Sequence, residues 1–210
     1  MTFNTYGVVV KYQQFRDFDR IYTVYTQDFG KLPLLARGSN KIKSKLAGHL
    51  EPGCLSYLMI AQGRGLEVLA QARTHQSFCR VRENPEKWLA VQVALESLDV
   101  LTFPSDRELN LFDLLVNLLN RFIQTESRTD IKSLIYYYLL WMLIHLGHAP
   151  EMRHEVILRD LLVADLVEDD IIVSREAQEL IAGYLARALD ERRINSWQEW
   201  ILPESNQKIA

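Results

Sequence analysis

The chain changes character at Asn84, and this break constrains the fold more than any other feature of the sequence. Before it, short runs of β-branched and aromatic residues are separated by glycine and polar turns. After it, apolar residues recur at steps of three and four. The first pattern is typical of strands, and the second is typical of helices that bury one face. We therefore predict an α+β protein with a β-barrel domain at residues 1–82 and an all-α bundle domain at residues 83–210.

The first part contains five predicted strands, at residues 5–12, 20–26, 31–37, 55–61 and 66–78. A polar turn at residues 13–19 separates the first two, and an irregular connector at residues 38–53 separates the third from the fourth. A five-stranded open sheet would leave two exposed edges, so closure into a barrel is favoured. The OB-fold is a five-stranded barrel of this kind, and we predict it here.

The second part begins with helix signals. Asn84 is a good N-cap with Pro85 at the first helical position, and the helix is predicted to end near Leu101. Ser105 and Glu108 have the spacing of a capping box for a second helix. Its predicted buried stripe consists of Leu109, Phe112, Val116, Leu119 and Ile123.

A third helix is predicted from Asp130, and residues 133–146 within it carry no charge. A membrane span needs about 20 apolar residues, so this shorter run predicts a helix buried at the centre of the bundle, with its three tyrosines and Trp141 in the core. Ser174 is the predicted cap of a last amphipathic helix, and the polar tail from Pro203 is predicted to fray.

The charge is divided unevenly along the chain, although the net value is only -3. Through Arg82 there are twelve Lys and Arg against five Asp and Glu, and from Glu83 onward there are twelve against twenty-two. No acidic residue occurs between Lys31 and Leu50. This division indicates a basic binding module joined to an acidic one.

Two interpretations of the basic residues stay open. They can form a solvated, solubilising edge, or they can bind a phosphate backbone while strand aromatics stack bases. Tyr22, Tyr25 and Tyr57 are the candidate stacking residues. The candidate nucleic-acid-binding side chains are Arg20, Lys31, Arg37, Lys41, Lys43, Lys45 and Arg64.

No motif predicts catalysis or a cofactor. Walker A, GxSxG and HExxH patterns do not occur in the sequence, so we expect neither ATP hydrolysis nor covalent catalysis. Cys54 and Cys79 lack metal-ligand or disulfide-framework spacing, and His145, His148 and His154 fit no tetrahedral zinc motif. The residues at 1–12 do not resemble a signal peptide, so we expect a cytoplasmic protein without a membrane partner.

Several short motifs occur together in a recognisable order. They are the stretches at 7–10 (GVVV), 19–20 (DR), 29–31 (FGK), 36–38 (ARG), 43–48 (KSKLAG), 50–52 (LEP), 63–65 (GRG) and 145–151 (HLGHAPE). In order and spacing the chain resembles the RecO family of bacterial recombination mediators over about residues 5–152.

The resemblance implies an N-terminal OB-fold and a helical domain, which agrees with the periodicity. It also implies binding of single- and double-stranded DNA and annealing of complementary strands coated with single-strand-binding protein (SSB). The implied partners are RecR, the C-terminal tail of SSB and the RecA recombinase that is loaded.

The sequence departs from the family at two places. Many relatives carry four zinc-binding cysteines after the turn matching residues 149–151, whereas no cysteine follows here, so no metal is expected. The usual basic extension of the C-terminal helix is also missing.

Three basic residues of the second part are candidates for the rim of a groove that binds the SSB tail: Arg121, Arg128 and Lys132. The alternative is that they are ordinary solvated side chains. An RNA-binding OB adaptor with a helical interaction domain is the alternative function.

Overall fold

The computed structural model describes residues 1–105, 107–190 and 192–201, without the side chains of Leu109 and Ile201. The predicted tail from Pro203 and the predicted burial of Leu109 therefore lie outside the described residues.

Five strands form a closed barrel in the order β1-β2-β3-β5-β4, which confirms the predicted OB-like first part. Neighbouring strands are antiparallel except for β3 and β5, which are parallel. These directions place the β1–β2 loop and the β3–β4 connector at one end, and the other two loops at the opposite end. The strands are β1 (Thr2–Gln14), β2 (Arg20–Thr26), β3 (Gly30–Ala36), β4 (Leu55–Ala61) and β5 (Glu67–Gln76).

Alternation along the strands fills the barrel interior with apolar side chains, including Val9, Val24, Leu34 and Leu58. Gly7 allows β1 to lie close to this core. A Cβ atom at position 7 would lie 2.5 Å from Cγ1 of Val24, closer than packed carbon atoms can approach. The missing side chain is therefore a packing requirement of the barrel.

Among the described residues, seven α-helices follow the barrel: α1 (Cys79–Glu83), α2 (Pro85–Leu101), α3 (Leu109–Gln124), α4 (Arg128–His145), α5 (Glu155–Val163), α6 (Arg175–Leu189) and α7 (Asn195–Ile201). The predicted N-cap Asn84 is confirmed, because its side chain accepts hydrogen bonds from the N–H groups of Glu86 and Lys87. Helix α4 is almost entirely buried and packs on α2, α3 and α6, which confirms it as the bundle centre. Ser174 caps α6, but α7 follows, so the predicted last helix is not the last.

The predicted capping box at Ser105 and Glu108 is wrong. Helix α3 begins after Glu108, whose side chain makes no capping hydrogen bond. Ser105 has a φ of 63° and donates its N–H to the carbonyl oxygen of Lys31, 2.9 Å away. Because Ser105 is tied to strand β3, it is not available to cap the helix.

The barrel and the bundle pack against each other through apolar side chains. Val8, Val10 and Tyr25 on the outer barrel face belong to the same buried cluster as Val91 and Leu98 of α2. The division at residues 82 and 83 stays a prediction. Within the described part of the chain, no helix combines the length and apolar character needed to cross a bilayer.

Candidate nucleic-acid interface

Lys31 does not lie on the surface, and we therefore remove it from the predicted phosphate-binding set. Only 7% of the surface of Lys31 is exposed to solvent. The ammonium donates hydrogen bonds to the carbonyl oxygens of Asp99, at 2.6 Å, and Thr102, at 2.5 Å. Burial lowers the pKa of Lys31, and the neighbouring carboxylate of Asp99 partly opposes this effect. The charge of Lys31 is therefore bound at the contact between barrel and bundle.

Three exposed aromatic rings lie at the end of β1 and in the β1–β2 loop, and each has a cation against it. The cation–ring distances are 4.4 Å for Arg20 and Tyr12, 5.1 Å for Arg16 and Phe15, and 5.4 Å for Lys41 and Phe18. Arg37 is exposed at the start of the same connector. We define the barrel-end cluster as Tyr12, Phe15, Arg16, Phe18, Arg20, Arg37 and Lys41.

Hydrogen bonds hold the two loops of the barrel-end cluster together. The N–H of Asn40 donates to the carbonyl oxygen of Phe18 at 3.0 Å. The N–H of Gly38 donates to Oδ1 of Asp19 at 2.7 Å, and Arg20 donates through Nη2 to Oδ1 of Asn40 at 2.6 Å. Gly38 has a φ of 65°, a conformation that glycine adopts without strain. The cluster is therefore held by backbone geometry as well as by its side chains.

The other predicted basic residues divide between two places. Lys43 and Lys45 are exposed on the same connector as Lys41 and Arg37. Arg64 is exposed in the β4–β5 loop, at the opposite end of the barrel. The structure thus groups Arg20, Arg37 and Lys41 with two further connector lysines, and separates Arg64 from them.

The predicted stacking residues fare differently. Tyr22 and Tyr25 are 1% and 0% exposed, so the prediction is wrong for these two rings. Tyr57 is 42% exposed on the outer barrel surface. Strand alternation explains the error, because successive side chains point to opposite faces and both faces of β2 are covered.

Sequence reasoning missed Tyr12, Phe15, Arg16 and Phe18. A signal was present, because the segment treated as a polar turn places two phenylalanines beside charged residues. Large rings in a turn cannot contribute to a strand's buried face. Exposed aromatic residues among cations are a feature of single-strand nucleic-acid sites.

The basic residues of the bundle do not share one rim. Arg128 and Lys132 line a recess of about 260 Å³ that also includes Leu89 and Trp200, and Arg128 forms an ion pair with Glu86 at 2.5 Å. Arg121 lines a different recess and donates to the carbonyl oxygen of Val167 at 3.1 Å.

The histidines and cysteines of the described residues do not assemble a metal centre. No group of three or more His, Cys, Asp or Glu side chains within that part of the chain is placed to hold an ion. Nδ1 of His154 lies 2.8 Å from the hydroxyl of Tyr184, and the ring of His145 lies against Trp141. Cys54 is buried, which raises its pKa, and Cys79 is exposed at the start of α1.

Comparison with known proteins decides the family. Residues 1–78 match the family model for the N-terminal part of recombination protein O, and residues 82–162 match that for its C-terminal part. The chain belongs to the RecO family. The two RecO matches meet at helix α1, where the barrel gives way to the bundle.

Individual RecO relatives are moderately similar. The chain is 31% identical to the DNA repair protein RecO of Synechococcus sp. (strain JA-3-3Ab) over 73% of its own length and 54% of the relative's. It is 28% identical to the DNA repair protein RecO of Prosthecochloris aestuarii over 78% of its own length and 62% of the relative's. The chain thus spans little more than half the length of these curated relatives.

Proposed function

We propose that the chain is a recombination mediator in DNA repair that binds single- and double-stranded DNA and anneals complementary strands coated with SSB. In this proposal it acts without covalent catalysis, in the cytoplasm, and helps RecR to load RecA. Membership of the RecO family supports the DNA-repair role. Annealing, RecA loading and the partners RecR and SSB are expectations from that family.

The observation that carries DNA binding is the barrel-end cluster. Three of its cations stand against exposed rings at the end of β1 and in the β1–β2 loop, which is hydrogen-bonded to the connector. Lys43 and Lys45 extend the basic surface along the connector. Cations bound to phosphates release counterions and lower the repulsion between two strands. Rings on the same surface can stack unpaired bases. Together these properties favour bringing complementary single strands together.

The acidic bundle is the proposed protein-binding part. The recess of Arg128 and Lys132 is also lined by Glu86, which is paired with Arg128, and by Glu199. Beside these acids it combines the basic groups of Arg128 and Lys132 with the apolar side chains of Leu89 and Trp200. This combination suits the SSB C-terminal tail, so we assign the tail to this recess as part of the proposal. Arg121 is excluded from this recess because it lines another.

Annealing of complementary DNA, with and without bound SSB, tests the proposal. The variant Lys41→Glu/Lys43→Glu/Lys45→Glu should lose most of the acceleration because three exposed connector cations become anions. The control Arg159→Glu/Arg175→Glu/Arg193→Glu changes the charge equally at exposed positions of the bundle and should retain it. Full annealing by the lysine variant would show that the DNA-binding surface does not include these lysines. Failure of the wild-type chain to accelerate the SSB-coated reaction would favour the RNA-binding adaptor.

A further inference from the structure

A second aromatic surface lies on the outer face of the barrel, separate from the barrel-end cluster. An open cleft of about 500 Å³ is lined by Tyr6, Tyr57, Arg73, Thr74 and His75. Tyr6 is the register partner of Tyr57 between β1 and β4, and Tyr57 is that of Arg73 between β4 and β5. Three neighbouring strands thus place these side chains next to one another.

The rings of this cleft leave faces open. The ring centroids of Tyr6 and Tyr57 lie 5.1 Å apart with an interplanar angle of 59°. Those of Tyr6 and His75 lie 5.2 Å apart at 71°. Because neither pair is parallel, no ring is fully covered by its neighbour. The bundle covers Val8 and Leu55 on the same barrel face but leaves Tyr6 and Tyr57 36% and 42% exposed.

The charge of the cleft suits a polyanion. Arg73 is exposed, and none of the five lining residues is acidic. The connector that carries Lys43 and Lys45 also reaches the cleft, because Nδ1 of His49 lies 2.8 Å from Oγ1 of Thr74 and accepts its N–H at 3.3 Å. The connector therefore joins the barrel-end cluster to the cleft, with its lysines between the cluster and His49.

We propose that this cleft binds an unpaired nucleobase of single-stranded DNA, stacked on the face of Tyr57 with the inclined ring of Tyr6 beside it, and a neighbouring phosphate at Arg73. The inference rests on the proposed function for the identity of the strand. A base within a duplex is covered by neighbours on both faces, so stacking on the protein selects unpaired strands. The connector lysines hold the backbone between the cleft and the barrel-end cluster.

The test compares the affinity of the full chain for two probes of equal length, an oligothymidine and an abasic deoxyribose-phosphate strand. The wild-type chain should bind the strand with bases more tightly, by roughly 5- to 150-fold for one stacked base. Tyr57→Thr, which keeps a residue favourable for a strand, should reduce this ratio while affinity for the abasic strand stays unchanged. The control Phe103→Ala removes another exposed ring and should preserve the ratio.

A strand containing 2-aminopurine provides a second measurement. Its fluorescence should fall on binding to the wild-type chain and fall less on binding to Tyr57→Thr, because only the rings of the barrel-end cluster then remain to stack the base. Three results would each overturn base binding in the cleft. They are equal wild-type affinity for the two probes, unquenched 2-aminopurine, and an unchanged affinity ratio in Tyr57→Thr. Binding of the abasic strand in those cases leaves the proposed function intact. A wild-type chain that binds neither probe overturns both proposals.

Discussion

Lys31 and Asp99 form a buried connection between the barrel and the helical bundle. Nζ of Lys31 lies 3.5 Å from Oδ1 of Asp99 and 2.6 Å from its carbonyl oxygen. The same ammonium reaches the carbonyl oxygen of Thr102, just after the last residue of α2. The sequence predicted that the charge of Lys31 binds DNA, but the structure places it at the end of helix α2. There, carbonyl groups without helical partners accept its hydrogen bonds.

Replacement of Lys31 should therefore reduce stability rather than DNA affinity. Lys31→Met removes two hydrogen bonds from a buried charged donor, and the free energy of unfolding should fall by about 2–3 kcal/mol. Urea unfolding of the full chain measures this loss. The exposed control Lys45→Met should change stability by less than about 0.5 kcal/mol. Weaker DNA binding by a Lys31→Met protein of normal stability would return Lys31 to the interface.

The salt dependence of DNA binding should reflect the exposed cations only. If Arg16, Arg37, Lys41, Lys43, Lys45 and Arg73 each contact one phosphate, log K against log salt should have a slope of roughly -4 on single strands. Lys43→Gln should make the slope less steep by roughly 0.7. Titrations at several salt concentrations measure both values. A slope near zero contradicts electrostatic binding at this surface.

The alkaline stability of the chain should depend on Tyr137, whose hydroxyl donates to the carbonyl oxygen of Ala164 at 2.7 Å. Burial is the main cause that raises its pKa from 10.0 to about 12. Between these pH values the unfolded chain binds fewer protons than the folded chain, so stability falls as pH rises. This difference in pKa between the folded and unfolded chain corresponds to about 3 kcal/mol of the free energy of unfolding.

Denaturant unfolding at a series of alkaline pH values tests this effect. Tyr137→Phe should show a shallower decline above pH 10, because it lacks the titrating hydroxyl. At neutral pH its free energy of unfolding should be about 1 kcal/mol lower than that of the wild-type chain, because the hydrogen bond to Ala164 is missing. An alkaline decline as steep as that of the wild-type chain would exclude Tyr137 as a source.

Gly7→Ala should destabilise the barrel. The new methyl group would overlap Cγ1 of Val24 and lie 3.1 Å from Cδ1 of Leu58, and overpacking of this kind costs about 1–3 kcal/mol. The control is Gly48→Ala, where a Cβ atom meets nothing within 4 Å. Thermal or urea unfolding of both variants makes the comparison. Equal stability of the two would mean that β1 shifts to make room.

Local chemistry in the sequence predicted most elements of the fold. Asn84 and Ser174 cap helices because a side-chain oxygen reaches N–H groups two or three residues ahead. Residues 133–146 predicted a buried helix because that stretch has no charged side chain. The same approach failed at Ser105, where a hydrogen bond to the distant Lys31 replaced the local cap.

The sequence by itself determined the barrel, the bundle and a concentration of cations between Lys31 and Leu50, since strand period, helix period and charge are properties of neighbouring residues. Only the tertiary structure decided which cations face solvent. Barrel closure and packing against α2 buried Lys31 and Tyr25, placed Arg64 at the far end, and set Arg20 against Tyr12 and Lys41 against Phe18. Burial depends on contacts between residues far apart in the chain, and no local pattern records them.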